Sequence, residues 1–251
     1  MGIMADIDET MYSCGMEILH PGGLEKSIEM AEKCCITENS KVLDIGSGKG
    51  STARALTRKY ACRITGIDAS PEMTEHARTE ARTTGFSNAI SFITADAYQL
   101  PFEDDSFDIV MAECSTVLLD KNRVFDEMKR VTKPGGYIGD LEMTWKKAAP
   151  SALCEQVWDL WDGFSTMTLP GWEDFFRQQG LTYVQSIDFS DKLSDMEGAM
   201  MTELGPGGLF KLAGRLLTNP PLLKAMMEYR KIFKTWSDYI GYGYVVGRKA
   251  K

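Results

Sequence analysis

The chain has 251 residues and a formal charge of −8, with 43% hydrophobic and 25% charged residues. That length suits one large domain or one domain with an inserted cap, of ordinary globular composition. The acidic balance argues against a nucleic-acid backbone as main partner, since that takes clustered Lys and Arg. No apolar run approaches the ~20 residues that span a bilayer.

The N-terminal stretch "MGIMADIDETMYSC" is acidic and lacks a signal-peptide core, and Asp6 breaks the myristoylation pattern. Six cysteines are scattered without a C-x-x-C pair, and there are two histidines. No metal site is therefore expected, and the thiols suit a reducing, cytoplasmic compartment. Leu24, Ile28, Ala31 and Cys35 recur at helical spacing, which predicts Cys35 as a core residue of an N-terminal helix.

The stretch "KVLDIGSGKGSTARAL" follows, from Lys41 to Leu56. An apolar run, three alternating glycines (Gly46, Gly48, Gly50) and an Ala/Leu/Arg stretch read as strand, tight turn and helix. Such a turn presents backbone N–H groups and a helix N-terminus to a ligand. A triphosphate loop fails at both anchors: Leu43 stands where its first Gly belongs, and Gly50 where its magnesium-binding hydroxyl belongs. The dinucleotide pattern G-x-G-x-x-G fails at Ser51.

"CRITGID", "AISFITAD", "SFDIVMAE" and "YIGDLEM" read as further strands, with helices between them. One helix has Ser70 as N-cap, Pro71 at its first position and Gly85 as its stop. Another is expected to end at Pro134-Gly135-Gly136. Alternating strands and helices imply a parallel α/β sheet, with ligands at the carboxyl ends of its strands. After Met143 come an aromatic stretch (145–179), a strand "LTYVQSIDF", a Met-rich helical segment (191–237) and a last strand, "YIGYGYVVGRKA". The division expected is a single domain over 1–251: N-terminal lid helices (1–35), a core (36–190), a helical cap (191–237) and the last strand (238–251). "NPPL" at 219–222 is read as a turn.

Three acids end successive strands. Asp44 precedes the glycines, where it would repel a pyrophosphate and attract an ammonium or sulfonium. Asp68 is placed to accept from ribose hydroxyls. Asp96 can accept from an adenine amino group. A ligand with ribose, adenine and positive charge fits S-adenosylmethionine better than NAD.

With "VLDIGSGKG" (42–50), "GIDAS" (66–70), "ADAYQLPFEDDSFDIV" (95–110) and "EMKRVTKPGGYI" (127–138) in this order, the sequence resembles the class I S-adenosylmethionine-dependent methyltransferases, in particular the methyltransferase type 11, UbiE-like group. The resemblance implies a Rossmann-like sheet of seven mostly parallel strands, the last one antiparallel. It implies that the glycine loop (Gly46, Ser47, Gly48, Gly50) with Asp44 holds the methionine part of S-adenosylmethionine. Asp68 and Ala69 would lie at the ribose, Asp96 and Ala97 at the adenine. Glu113 and the residues after it would face the methyl group, and the stretch carrying His20 would form part of a lid. Glu113 and His20 are thus the candidate catalytic residues. S-adenosylhomocysteine would be the product.

The acceptor is expected to be a small molecule. Glu113, Asp140 and Glu142 with nearby tryptophans suit a cationic amine, whereas the methionines suit a flexible apolar molecule. A NAD-dependent oxidoreductase and a non-catalytic cofactor-binding protein stand as alternatives. His76, between Glu72 and Glu80, reads as a solvated surface histidine.

Overall fold

The structure is a computed structural model and describes residues 3–18, 20–161 and 163–251. Seven strands form one sheet: β1 (Lys41–Ile45), β2 (Arg63–Asp68), β3 (Ile90–Thr94), β4 (Phe107–Glu113), β5 (Thr132–Trp145), β6 (Leu181–Asp188) and β7 (Ile240–Lys249). Their spatial order is β3-β2-β1-β4-β5-β7-β6. The first five run parallel, and β7 is antiparallel to both β5 and β6. The order reverses at β1, between β2 and β4, which is where a doubly wound sheet opens a ligand crevice. This is the Rossmann-like sheet that the resemblance implies.

The helices follow from local chemistry. α3 (Ser51–Tyr60) starts straight from the glycine loop. α4 (Pro71–Thr83) begins as expected: the Ser70 side chain accepts from the Met73 N–H at 3.3 Å, and Pro71 stands at the first position. α5 (Lys121–Val131) is capped by Asp120 and buries Val124, Phe125 and Met128. It ends three residues before the expected Pro134-Gly135-Gly136 stop. The chain enters β5 at Thr132, and a register shift between Phe107 and Ile109 of β4 takes up the turn residues.

α1 (Ile3–Cys14) and α2 (Gly23–Lys33) precede the sheet. α2 stops before the cysteine pair, so the expected stripe breaks there. Cys34 is the buried thiol, and Cys35 adopts φ +58° and is exposed. Burial pushes the Cys34 thiol far up, as befits an inert core residue.

α6 (Ser151–Trp161) and α7 (Leu169–Gln178) divide the aromatic stretch. Trp172 and Phe176 on α7 are buried, and Phe175 and Phe176 pack edge-on against Phe125. α8 (Met196–Thr218) and α9 (Pro220–Thr235) lie between β6 and β7, with a break at Gly205-Pro206. Asn219 is a helix junction rather than a simple turn: its side chain caps α9 by accepting from the Leu222 N–H at 3.2 Å.

Candidate active site

Three backbone N–H groups of the glycine loop help hold it in place. Ser47 N–H donates to the Ile67 carbonyl at 2.9 Å, Gly50 N–H to the Ser47 carbonyl at 2.8 Å, and Gly48 N–H to Asp68 Oδ2 at 2.9 Å. Gly50 has φ +73°, and a side chain there would overlap the Phe92 ring. The same ring excludes a side chain from Gly66. One phenylalanine of β3 thus fixes a glycine in each of two sequence motifs.

Asp68 ends β2 with both carboxylate oxygens anchored, Oδ2 by Gly48 N–H and Oδ1 by Ser70 N–H at 2.8 Å. Each oxygen retains a second lone pair for a ligand hydroxyl. Ala69 beside it is exposed. Asp96 lies two residues beyond β3, where Oδ1 accepts from Tyr98 N–H at 2.8 Å, and Ala97 is half-buried. Both residues line the same cavity as the loop.

Asp44, Ser47 and Glu113 each carry a buried polar atom without a hydrogen-bond partner: Asp44 Oδ2, Ser47 Oγ and Glu113 Oε1. Asp44 makes no helix cap, since α3 has no side-chain cap. Burial, with the charges of Glu113 and Asp68 nearby, pushes its carboxyl well above the usual range. A buried carboxylate cluster with open acceptors favours a cationic donor such as an ammonium.

Glu113 Oε2 accepts from Thr52 Oγ1 at 2.9 Å and Ser27 Oγ at 3.0 Å, and lies 3.2 Å from His20 Nε2. Its charged partner is thus a histidine. His20 is buried, with Nδ1 3.1 Å from the Pro21 carbonyl. Since a carbonyl and a carboxylate only accept, these partners place a hydrogen on each ring nitrogen. Burial opposes that charge, but the hydrogen bond and charge of Glu113 outweigh it and raise the His20 pKa.

A second acidic pair sits at the end of β5. Glu142 Oε1 accepts from Ser115 N–H (2.9 Å), Thr116 N–H (2.7 Å) and Thr116 Oγ1 (2.9 Å), so it caps the turn after β4. Thr116 Oγ1 also lies 2.7 Å from Asp140 Oδ2. One hydroxyl hydrogen serves two carboxyls, while Asp140 Oδ1 and Glu142 Oε2 have no partner. Burial raises the Asp140 pKa to about 7 and that of Glu142 well above the usual range. Glu142 lines the cavity, and the tryptophan that joins it there is Trp161.

The cavity measures about 2010 Å³. The glycine loop and Asp44, Asp68, Asp96 and Glu113 line one end. The other end is walled by Leu209, Leu212, Leu216, Met226, Phe164 and Trp161. Of the aromatic stretch, then, Trp161 at the end of α6 and Phe164 after it line the cavity, and no described residue of α7 does.

Sequence reasoning missed the residues that tie the lid to the loop. Lys49 Nζ donates to the Tyr12 carbonyl at 2.6 Å and the Met16 carbonyl at 3.3 Å. Arg54 pairs with Glu17 at 2.7 Å, and Ser51 Oγ also donates to Glu17. Glu17 N–H in turn donates to Glu203 of α8 at 2.6 Å. Ser27 and Thr52, which hold Glu113, were missed as well. Each stands alone in its segment, so no local spacing marks it.

A family model described as "Methyltransferase domain" matches residues 43–139. "Methyltransferase GfsG" of Streptomyces halstedii is 37% identical over 69% of this chain and 64% of its own length. A glycine/sarcosine/dimethylglycine N-methyltransferase of Actinopolyspora halophila is 30% identical over 74% of this chain and 33% of its own. Among solved structures, the [4+2]-cyclase SpnF shares the fold with a TM-score of 0.78 at 22% identity, covering 99% of this chain and 95% of that one. Others with the fold were solved with S-adenosylhomocysteine bound. The chain belongs to the class I S-adenosylmethionine-dependent methyltransferases, in the methyltransferase-domain family. It is an S-adenosylmethionine-dependent methyltransferase rather than a NAD enzyme.

Proposed function

We propose that the chain transfers a methyl group from S-adenosylmethionine to a small molecule with a largely apolar body, held between the strand ends and α8–α9. The observation that carries this reading is a continuous cavity of about 2010 Å³, polar and acidic at the loop and apolar at the helices. Pockets for one small ligand run to ~300–1,000 Å³, so this one has room for cofactor and acceptor together. A relative named for glycine, sarcosine and dimethylglycine supports a small-molecule acceptor.

The residues present fit the cofactor. The orphaned atoms of Asp44, Ser47 and Glu113 are open to the amino-acid end, Asp68 to the ribose, and Asp96 with Ala97 to the adenine. The bound sulfonium supplies an activated methyl group. The protein aligns acceptor and donor and excludes water. His20 has both nitrogens engaged, and its role is to hold Glu113 in place. Glu142 Oε2, fixed by the backbone bonds to its twin oxygen, is the group that takes a proton from an O–H or N–H acceptor when it is ionised, which its raised pKa shifts to higher pH.

One observation favours a second reading. The [4+2]-cyclase SpnF has this fold, so cofactor binding and methyl transfer are tested separately. A thermal-shift panel with S-adenosylhomocysteine, NAD and ATP tests the first. Radiolabel transfer from S-adenosylmethionine to a panel of small amines, phenols and apolar alcohols tests the second. Stabilisation by NAD alone would overturn the cofactor assignment. Stabilisation by S-adenosylhomocysteine with no transfer to any acceptor would favour the second reading.

A further inference from the structure

α8 is apolar on both sides. Leu209, Leu212 and Leu216 face the cavity, while Phe210 and Leu217, seven residues apart, stand 82% and 83% exposed with Ala213 and Gly214 between them. An exposed apolar stripe on the outer side of a helix whose inner side already lines a cavity marks a contact surface. Leu223 and Met227 of α9, about one turn apart, are also exposed, and Met227 lines the cavity. Trp158 of α6 is exposed as well.

The charge around this surface opposes that of the chain. Between residues 204 and 235 stand Lys211, Arg215, Lys224, Arg230, Lys231 and Lys234, against Glu228 alone, in a chain of net charge −8. Lys211 and Arg215 are exposed one turn apart, flanking the Phe210–Leu217 stripe. Arg230, Lys231 and Lys234 line the cavity where Met227 does. Large apolar side chains set in a basic field match an anionic lipid surface, where the apolar face enters the acyl boundary and the cations meet headgroups. A nucleic-acid or acidic-protein partner would use the charge and leave Phe210 and Leu217 unexplained.

We infer that the outer face of α8–α9 docks peripherally on anionic membranes, with the apolar end of the cavity beside the bilayer. No helix among the described residues is long and apolar enough to cross a membrane, so the attachment is interfacial and reversible. The inference does not depend on methyl transfer.

The test is co-sedimentation of the full chain with vesicles of phosphatidylcholine alone and of equal parts phosphatidylcholine and phosphatidylglycerol. Binding is expected only to the anionic vesicles and is weakened by high salt. Lys211→Gln with Arg215→Gln should lower the partition coefficient about thirty-fold. Phe210→Ser with Leu217→Ser should lower it by about tenfold or more. An unchanged thermal shift with S-adenosylhomocysteine shows that both variants are folded. The proposal is overturned if the wild type binds neither vesicle or both equally, or if binding persists in both variants. It is equally overturned if vesicle binding is absent and Phe210→Ser with Leu217→Ser abolishes a dimer, or if binding moves to a polyanion such as heparin.

Discussion

The two ends of the cavity are built differently. At the loop end, short hydrogen bonds link successive motifs: Gly48 to Asp68, Asp68 to Ser70, and Glu113 to Thr52 and Ser27. Backbone groups do much of the positioning. At the cap end the wall is leucine, methionine and aromatic side chains on helices that also present apolar residues to solvent. Directional contacts fix one ligand in one pose, whereas flexible apolar ones tolerate several. The first suits a cofactor shared across a family, the second an acceptor peculiar to one member.

The sharpest way to break this contrast is at Gly48. Its φ is +49°, and the nearest side-chain atom to an added Cβ is the Tyr12 hydroxyl at 3.6 Å. A valine would cost roughly 1–2 kcal/mol in backbone strain alone and place a branched side chain in the cavity. Gly48→Val should weaken S-adenosylhomocysteine binding by at least about a hundredfold in calorimetry while the fold persists. Asp68→Ala comes next. It unpins Gly48 N–H and removes the proposed ribose acceptor, at about 1–3 kcal/mol of cofactor affinity. Unchanged affinity in a folded Asp68→Ala protein would refute the ribose assignment.

The contrast also governs what could be read from the sequence. The strands and helices of the parallel half, the glycine loop and the acids at 44, 68 and 96 were legible, because each occupies a fixed place in a strand-turn-helix unit; the strand order was not. The N-cap at Ser70 was legible for the same reason. Cys35 was misplaced, because periodicity does not mark where a helix stops, and the residue beyond α2 turns outward. The Glu113 anchors, Ser27 and Thr52, and the Lys49 latch to α1 were not legible. They arise where segments far apart in sequence meet, and nothing local distinguishes a serine on α2 from any surface serine.

A third variant probes the boundary between the two ends through pH. Asp140 has a folded pKa of about 7 against an unfolded value of about 3.9. Its raised value means the native state holds the proton more tightly. Its contribution to stability is therefore favourable below the unfolded pKa, falls as pH rises from about 4 to about 7, and is flat above. Asp140→Asn removes that dependence. Melting temperatures measured from pH 4 to 8 should fall more steeply in the wild type, by a difference on the order of 5 °C. Parallel curves would mean that Asp140 ionises normally. The coupled Glu142 keeps its own dependence in both proteins and cancels in the comparison only in part, so Glu142→Gln is measured alongside.

The smallest expected effect sharpens the comparison most directly. Leu212 is half-buried on the inner face of α8 and lines the apolar end, while the loop contacts lie at the other end. Leu212→Ala enlarges a space that is already open, so its cost to folding should stay near about 1 kcal/mol, below the usual range for a sealed core position. Among the described residues, no hydrogen bond of the glycine loop, Asp68 or Glu113 involves α8; the link from Glu203 to Glu17 lies a turn or more away from Leu212. Cofactor affinity should therefore remain within about twofold of wild type. With an acceptor in hand from the transfer panel, KM should rise and kcat change less, the signature of lost binding that is uniform along the reaction. A cofactor affinity that falls together with acceptor turnover would mean that the two ends act as one site, and that the division between a fixed cofactor pocket and an adaptable acceptor pocket is wrong.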